Sequence, residues 1–173
     1  LRSVRHVGRP APRLFSMSAF LVADPFADRL FPRSVDVVRY LGSLGRTFML
    51  SDGDAVLQPR KIERSGLSHA VDGRVLIYIH KEQMLDAIAE KYPARHYVMI
   101  DDKIRVLAMM KAVWRDRLTT VFVRQGHYAI DATLLAAYPA ADLAADRIGD
   151  LIAIEPSTFT SRGGHETSTS RGK

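Results

Sequence analysis

The sequence predicts an α/β domain, a parallel β-sheet with helices on both faces. Three observations carry this reading. Strand and helix signals alternate regularly from Ser34 onward. The strand-like runs are apolar nearly end to end, as in RVLIYI at 74–79 and LTTVFV at 118–123, the mark of strands covered on both faces. The residues that follow successive strands are of chemical types that do work: Ser51, His80 and Lys81, Asp101 and Asp102, Arg124 and Gln125. In open parallel sheets the working groups gather at those carboxyl ends.

The elements follow in order. SVDVVRYLGSLG, at 34–45, carries Val35, Val38, Leu41 and Leu44 at helical spacing, with Gly45 as a stop. RTFMLS then reads as a short buried strand ending at Ser51, and Asp52-Gly53-Asp54 as a turn. PRKIERSGL has Pro59 at a helix start and Gly66 near its end. After the strand 74–79, KEQMLDAIAEKY is a helix with Met84, Leu85, Ile88 and Ala89 inward. RHYVMI is a buried strand running into Asp101 and Asp102, KIRVLAMMKAVWRDR a helix, and LTTVFV a strand. A short helix at 142–149 and an apolar run at 151–154 close the body.

Residues 1–23 form a basic arm followed by an apolar segment, and residues 156–173 a Gly-, Ser- and Thr-rich tail expected to be disordered. The body is residues 24–155. The apolar segment at 14–23 suits either a targeting peptide or an element packed on the domain.

Composition narrows the function. The chain has 173 residues, 47% apolar and 25% charged, as in a soluble globular domain. No apolar run approaches the roughly twenty residues of a bilayer span, so no membrane partner is expected. There is no cysteine, which excludes disulfides, thiol nucleophiles and zinc ribbons and fits a reducing, cytoplasmic compartment. Residues 1–23 carry +4 and residues 160–173 carry +2, which accounts for the whole net charge of +6. The body is neutral, against the basic stripe a nucleic-acid binder would show. The six histidines form no HExxH pattern, and there is no GxGxxG, Walker or GxSxG motif.

Adjacent carboxylates suit Mg²⁺, which takes oxygen ligands and keeps several waters. A lysine can neutralise phosphate, and a serine hydroxyl can hydrogen-bond a phosphoryl oxygen. Together they form an electrostatic cradle for phosphoryl transfer. Each residue also has a plainer reading. Asp101 and Asp102 would cap the next helix equally well, Lys81 could be a solvated helix-start lysine, and Ser51 a turn residue.

The order FMLSDGD, helix, IYIHK, helix, YVMIDDK resembles the second, third and fourth motifs of the haloacid dehalogenase superfamily, over residues 31–126. The resemblance implies a three-layer α/β/α Rossmann-like fold and a Mg²⁺-dependent phosphatase acting on a small phosphorylated substrate. It implies catalytic roles for Ser51 and Lys81, with Lys61 a rival for the lysine. Substrate binding falls to Ser51, Asp52 and Gly53, and metal binding to Asp101 and Asp102. Asp54 could also reach the site.

The family's first motif, a strand ending Asp-x-Asp that supplies the aspartyl nucleophile, has no counterpart. Asp24 follows the apolar run FLVA, but Pro25 and Phe26 come next, and Asp52-Gly53-Asp54 sits where the second motif belongs. Residues 25–45 read like the end of a cap segment leading back to the core. The chain is therefore expected to be the C-terminal part of a longer enzyme, with the sheet lacking its first strand. The alternatives are a catalytically silent binding module and, third, a basic-tailed nucleic-acid binder.

Overall fold

The computed structural model describes residues 30–52 and 62–160. Helix α1 (Ser34–Leu44) leads into strand β1 (Met49–Asp52), and a one-turn helix α2 (Leu67–Ala70) into β2 (Val75–Tyr78). A 3₁₀ turn (Lys81–Gln83), helix α3 (Leu85–Lys91), strand β3 (Tyr97–Asp101) and helix α4 (Ile104–Trp114) follow. Strand β4 (Leu118–Val123), helix α5 (Ala132–Ala137) and strand β5 (Leu143–Ala145) come next, then 3₁₀ turns at Ile148–Ala153 and Pro156–Phe159.

All strand pairs are parallel, in two groups: β1 with β2, and β3–β4–β5. Helices cover both faces of the larger group. Every residue of β4 is buried. Its Leu118 packs with Met110 and Trp114 of α4 on one face, and Val121 and Val123 with Val37 of α1, Leu151 and Phe159 on the other. This is the three-layer α/β/α, Rossmann-like arrangement expected from the apolar strands.

β1 and β3 are not paired with each other. Both border a trough of about 1020 Å³, floored by apolar side chains such as Ile88, Met110 and Trp114. All four residues of β1 are only half-buried, as are Met99 to Asp101 of β3, and Val98 is 38% exposed. These two strands were expected to be fully buried. Their exposure follows from the trough that they border.

Three expectations change. The 142–149 segment is not a helix: Leu143–Ala145 pair with Val121–Val123 as an edge strand. Alanine is the best helix former, but tertiary context overrides propensity, and here a ladder is on offer. Asp142 sets the register, because its Oδ2 accepts from Thr120 N (2.8 Å), Thr120 Oγ1 (2.9 Å) and Lys111 Nζ (2.8 Å). Helix α5 was not anticipated. Its start is an N-cap, Asp131, whose side chain accepts from Thr133 N and Leu134 N. Gly66, with φ of 80°, does close the helical turn at 62–64, its amide donating to Glu63 O at 3.2 Å, and it also opens the short helix α2. The described body also runs past residue 155, where Phe159 is 3% exposed in the core, so the tail expectation fails for Pro156–Phe159. The arm at 1–23 lies outside the described residues.

Asp142 yields a stability prediction. Burial pushes its carboxyl up, but the donors on Lys111 and Thr120 outweigh that and hold it below the usual carboxylate range. Its contribution is therefore present above the unfolded carboxylate pKa and lost as pH falls through the folded one. Asp142→Asn should cost about 1–3 kcal/mol at neutral pH. The gap to the parent protein in thermal unfolding should narrow as the pH is taken down through the carboxylate range.

Candidate active site

The carboxyl ends of β1, β2, β3 and β4 bring one charged cluster together. Lys81, in the 3₁₀ turn after β2, forms a buried ion pair with Asp101 at the end of β3. Both side chains are 7% exposed. Lys81 Nζ also approaches Leu50 O at 3.5 Å. The other oxygen of Asp101, Oδ1, accepts from the Lys103 amide at 2.9 Å and so closes the turn into α4. Asp101 is thus a turn residue and an ion-pair partner at once; the N-cap of α4 is Lys103, not Asp101 as the capping reading had it.

Asp52 links the strands differently. Its Oδ1 accepts from Lys81 N (3.3 Å) and its Oδ2 from Lys103 Nζ (3.0 Å). A third ion pair, Arg105 to Glu82 at 2.8 Å, lies beside these. Burial alone would raise the Glu82 carboxyl, but its backbone hydrogen bond and Arg105 hold it below its ordinary value. Three ion pairs therefore connect the β1–β2 side of the trough to the β3 side, at the carboxyl end of the sheet.

Asp102 stands apart. Burial, then the neighbouring Asp101 charge, raises its carboxyl above the usual range. Among the described residues no cation lies within ion-pair distance of it. Gly126, just beyond β4, approaches it so closely that a Cβ there would sit 2.8 Å from Asp102 Oδ2. A half-buried carboxylate beside a second acid, cradled by a glycine, is a donor set that suits a divalent cation. Among the described residues no group of three or more His, Asp or Glu side chains could hold a metal. Mg²⁺ asks less than that, since one or two carboxylates with waters and substrate oxygens suffice.

Lys81, Asp101, Asp102 and Asp52 are thus brought together. Ser51 lies at the same strand end, but its hydroxyl donates to Asp52 O at 3.4 Å rather than into the cluster. Gly53, Asp54 and Lys61 fall outside the described residues.

Three residues of the cluster were not anticipated. Lys103 reads in sequence only as a helix-start lysine. Burial opposes its charge, yet the hydrogen bond it donates to Asp52 carries it above the ordinary lysine value. Its Nζ lies 4.6 Å over the ring of Tyr128. Gly126 and Tyr128 follow directly on Arg124 and Gln125, which their position after a strand had marked. Gln125 of the same segment anchors the next loop by accepting from Ile148 N at 2.6 Å.

No protein-family model and no curated protein matches this chain. Among solved structures, a protein from Burkholderia xenovorans LB400, named as a haloacid dehalogenase-like hydrolase, is similar at 59% identity and a TM-score of 0.79. The similarity covers 83% of this chain and 66% of that one, so the chain spans just under two thirds of that protein's length. Among the described residues, no helix is long and apolar enough to cross a membrane.

Proposed function

The chain belongs to the haloacid dehalogenase-like superfamily, and on that premise we propose that the cluster is the phosphate- and metal-binding part of a Mg²⁺-dependent phosphatase site. The observation that carries the reading is the convergence of Lys81, Asp101 and Asp102 at neighbouring strand ends beside the mouth of the trough. Asp102 would hold Mg²⁺, with Asp101 fixed next to it by Lys81. When bound, the ion would neutralise charge on the phosphoryl oxygens of a small phosphate ester. The Ser51 hydroxyl would turn from Asp52 O to donate to a phosphoryl oxygen. Lys81 orients Asp101 and places positive charge under the site.

Nucleophilic catalysis also needs the attacking group. The one Asp-x-Asp in the sequence is Asp52-Gly53-Asp54, and Asp52 already serves Lys103 and the Lys81 amide. In this reading the nucleophile arrives on a strand seated between β1 and β3, whose carboxyl end would emerge beside Asp101. The second reading, a silent module that binds metal and phosphate without turnover, draws on the same observation about Asp52.

Calorimetric titration with Mg²⁺, and aryl phosphate turnover with Mg²⁺ or EDTA, separate these. The parent chain should bind Mg²⁺, and Asp102→Asn should weaken binding at least about tenfold, as expected for loss of a charged ligand. Turnover abolished by EDTA and by Asp102→Asn would place a nucleophile within the chain. Binding without turnover would favour the silent module or a nucleophile supplied from elsewhere. No difference between parent and variant in Mg²⁺ titration would sink the metal assignment.

A further inference from the structure

We propose that Lys103, held against the face of Tyr128, is the residue that receives the anionic group of the ligand. The proposal rests on the phosphate-site reading above and adds a residue to it. It starts from the different situations of the two lysines. Lys81 is buried, paired with Asp101 and close to Leu50 O. It is enclosed before any ligand arrives. The Lys103 side chain is 27% exposed. An ammonium has three N–H donors, and the hydrogen bond to Asp52 engages one of them. An anion entering from solvent therefore meets Lys103 first.

Two contacts fix this ammonium in place. Asp52 holds it from the β1 side at 3.0 Å, and the Tyr128 ring lies beneath it at 4.6 Å from the β4 side. A flexible four-carbon stem is thereby restrained without being covered, which lowers the entropic penalty of binding. The local charge also sets a condition. Among the described residues of the cluster, Asp52, Asp101 and Asp102 face Lys81 and Lys103, an excess of one negative charge. A divalent cation at Asp102 reverses that sign, so inorganic phosphate should bind far better with Mg²⁺ present than with EDTA.

The test is calorimetric titration of the full chain with inorganic phosphate in Mg²⁺, with circular dichroism to verify that each variant is folded. Lys103→Met should weaken phosphate binding at least about tenfold, the scale of a charged hydrogen bond. Lys103→Arg, which keeps the charge, should restore most of it. Tyr128→Leu should weaken binding about threefold, in line with a partly exposed cation–π contact.

The double variant Asp52→Asn/Lys103→Met decides between a ligand contact and simple neutralisation of Asp52. If Lys103 meets the anion, the double variant stays as weak as Lys103→Met. Recovery of the double variant to the parent affinity overturns the proposal while leaving the phosphate reading intact. Failure of the parent chain to bind phosphate in Mg²⁺ overturns both.

Discussion

Replacing Lys81 by methionine should destabilise the protein by roughly 3–5 kcal/mol, the penalty for leaving a buried charge without its partner. Asp101 would be the stranded group, with its side chain 7% exposed. The denaturation midpoint in urea should fall sharply with little change in slope. A second substitution, Asp101→Asn, which removes the stranded charge but keeps an Oδ1 acceptor for the Lys103 amide, made in the Lys81→Met background, should recover most of the loss. The buried pair itself contributes little relative to apolar side chains of similar volume, and the penalty comes from breaking it. If the double variant is no more stable than Lys81→Met, the ion pair is not the origin of the effect.

Gly126→Ala should disable the metal site. The residue has φ of 90°, a conformation that costs a side chain of order 1–3 kcal/mol. Its added methyl would also sit 2.8 Å from Asp102 Oδ2. The carboxylate or the loop must shift, and Mg²⁺ affinity should fall at least about tenfold, the scale of a lost charged ligand. Gly45→Ala is the control, because φ there is −176° and nothing lies within 4 Å of the added atom. Titration of both variants with Mg²⁺ should show loss in the first and parent-like affinity in the second. Equal affinity in both would mean that Asp102 does not depend on that close approach.

The strands that were legible in sequence are those with an apolar code. LTTVFV became the fully buried β4 and RVLIYI became β2 because a strand covered on both faces cannot hide its composition. Leu143–Ala145 carried no such code. One leucine and two alanines become a strand only because β4 offers an edge and Asp142 grips Thr120, both of which are tertiary facts. Asp101 and Asp102 were found because they follow a strand directly. Lys103 was passed over because its partners, Asp52 and Tyr128, lie on other loops, and long-range charge pairing leaves no mark on local spacing. Gly126 carried a faint signal, a glycine just past a strand end, but its purpose depends on a carboxylate on the neighbouring strand. Glu82 was hidden for a similar reason, since only the fold shows that Arg105 covers it.

The uneven depth of burial has a consequence for how the molecule opens. Six consecutive buried residues, flanked on both sides, make β4 the segment whose amides should exchange with deuterium most slowly. β1 has no fully buried residue and β2 has one, Leu76. Ser51, Asp52 and Lys81 ride on that lightly buried pair, while Asp101, Asp102 and Gly126 ride on the deep one. A sub-global fluctuation that releases β1 and β2 would dismantle the charged cluster while the β3–β4–β5 core stays folded. On heating, ligand affinity should therefore fade before the far-ultraviolet signal of the core does, and bound ligand should slow exchange in β1 and β2 more than in β4.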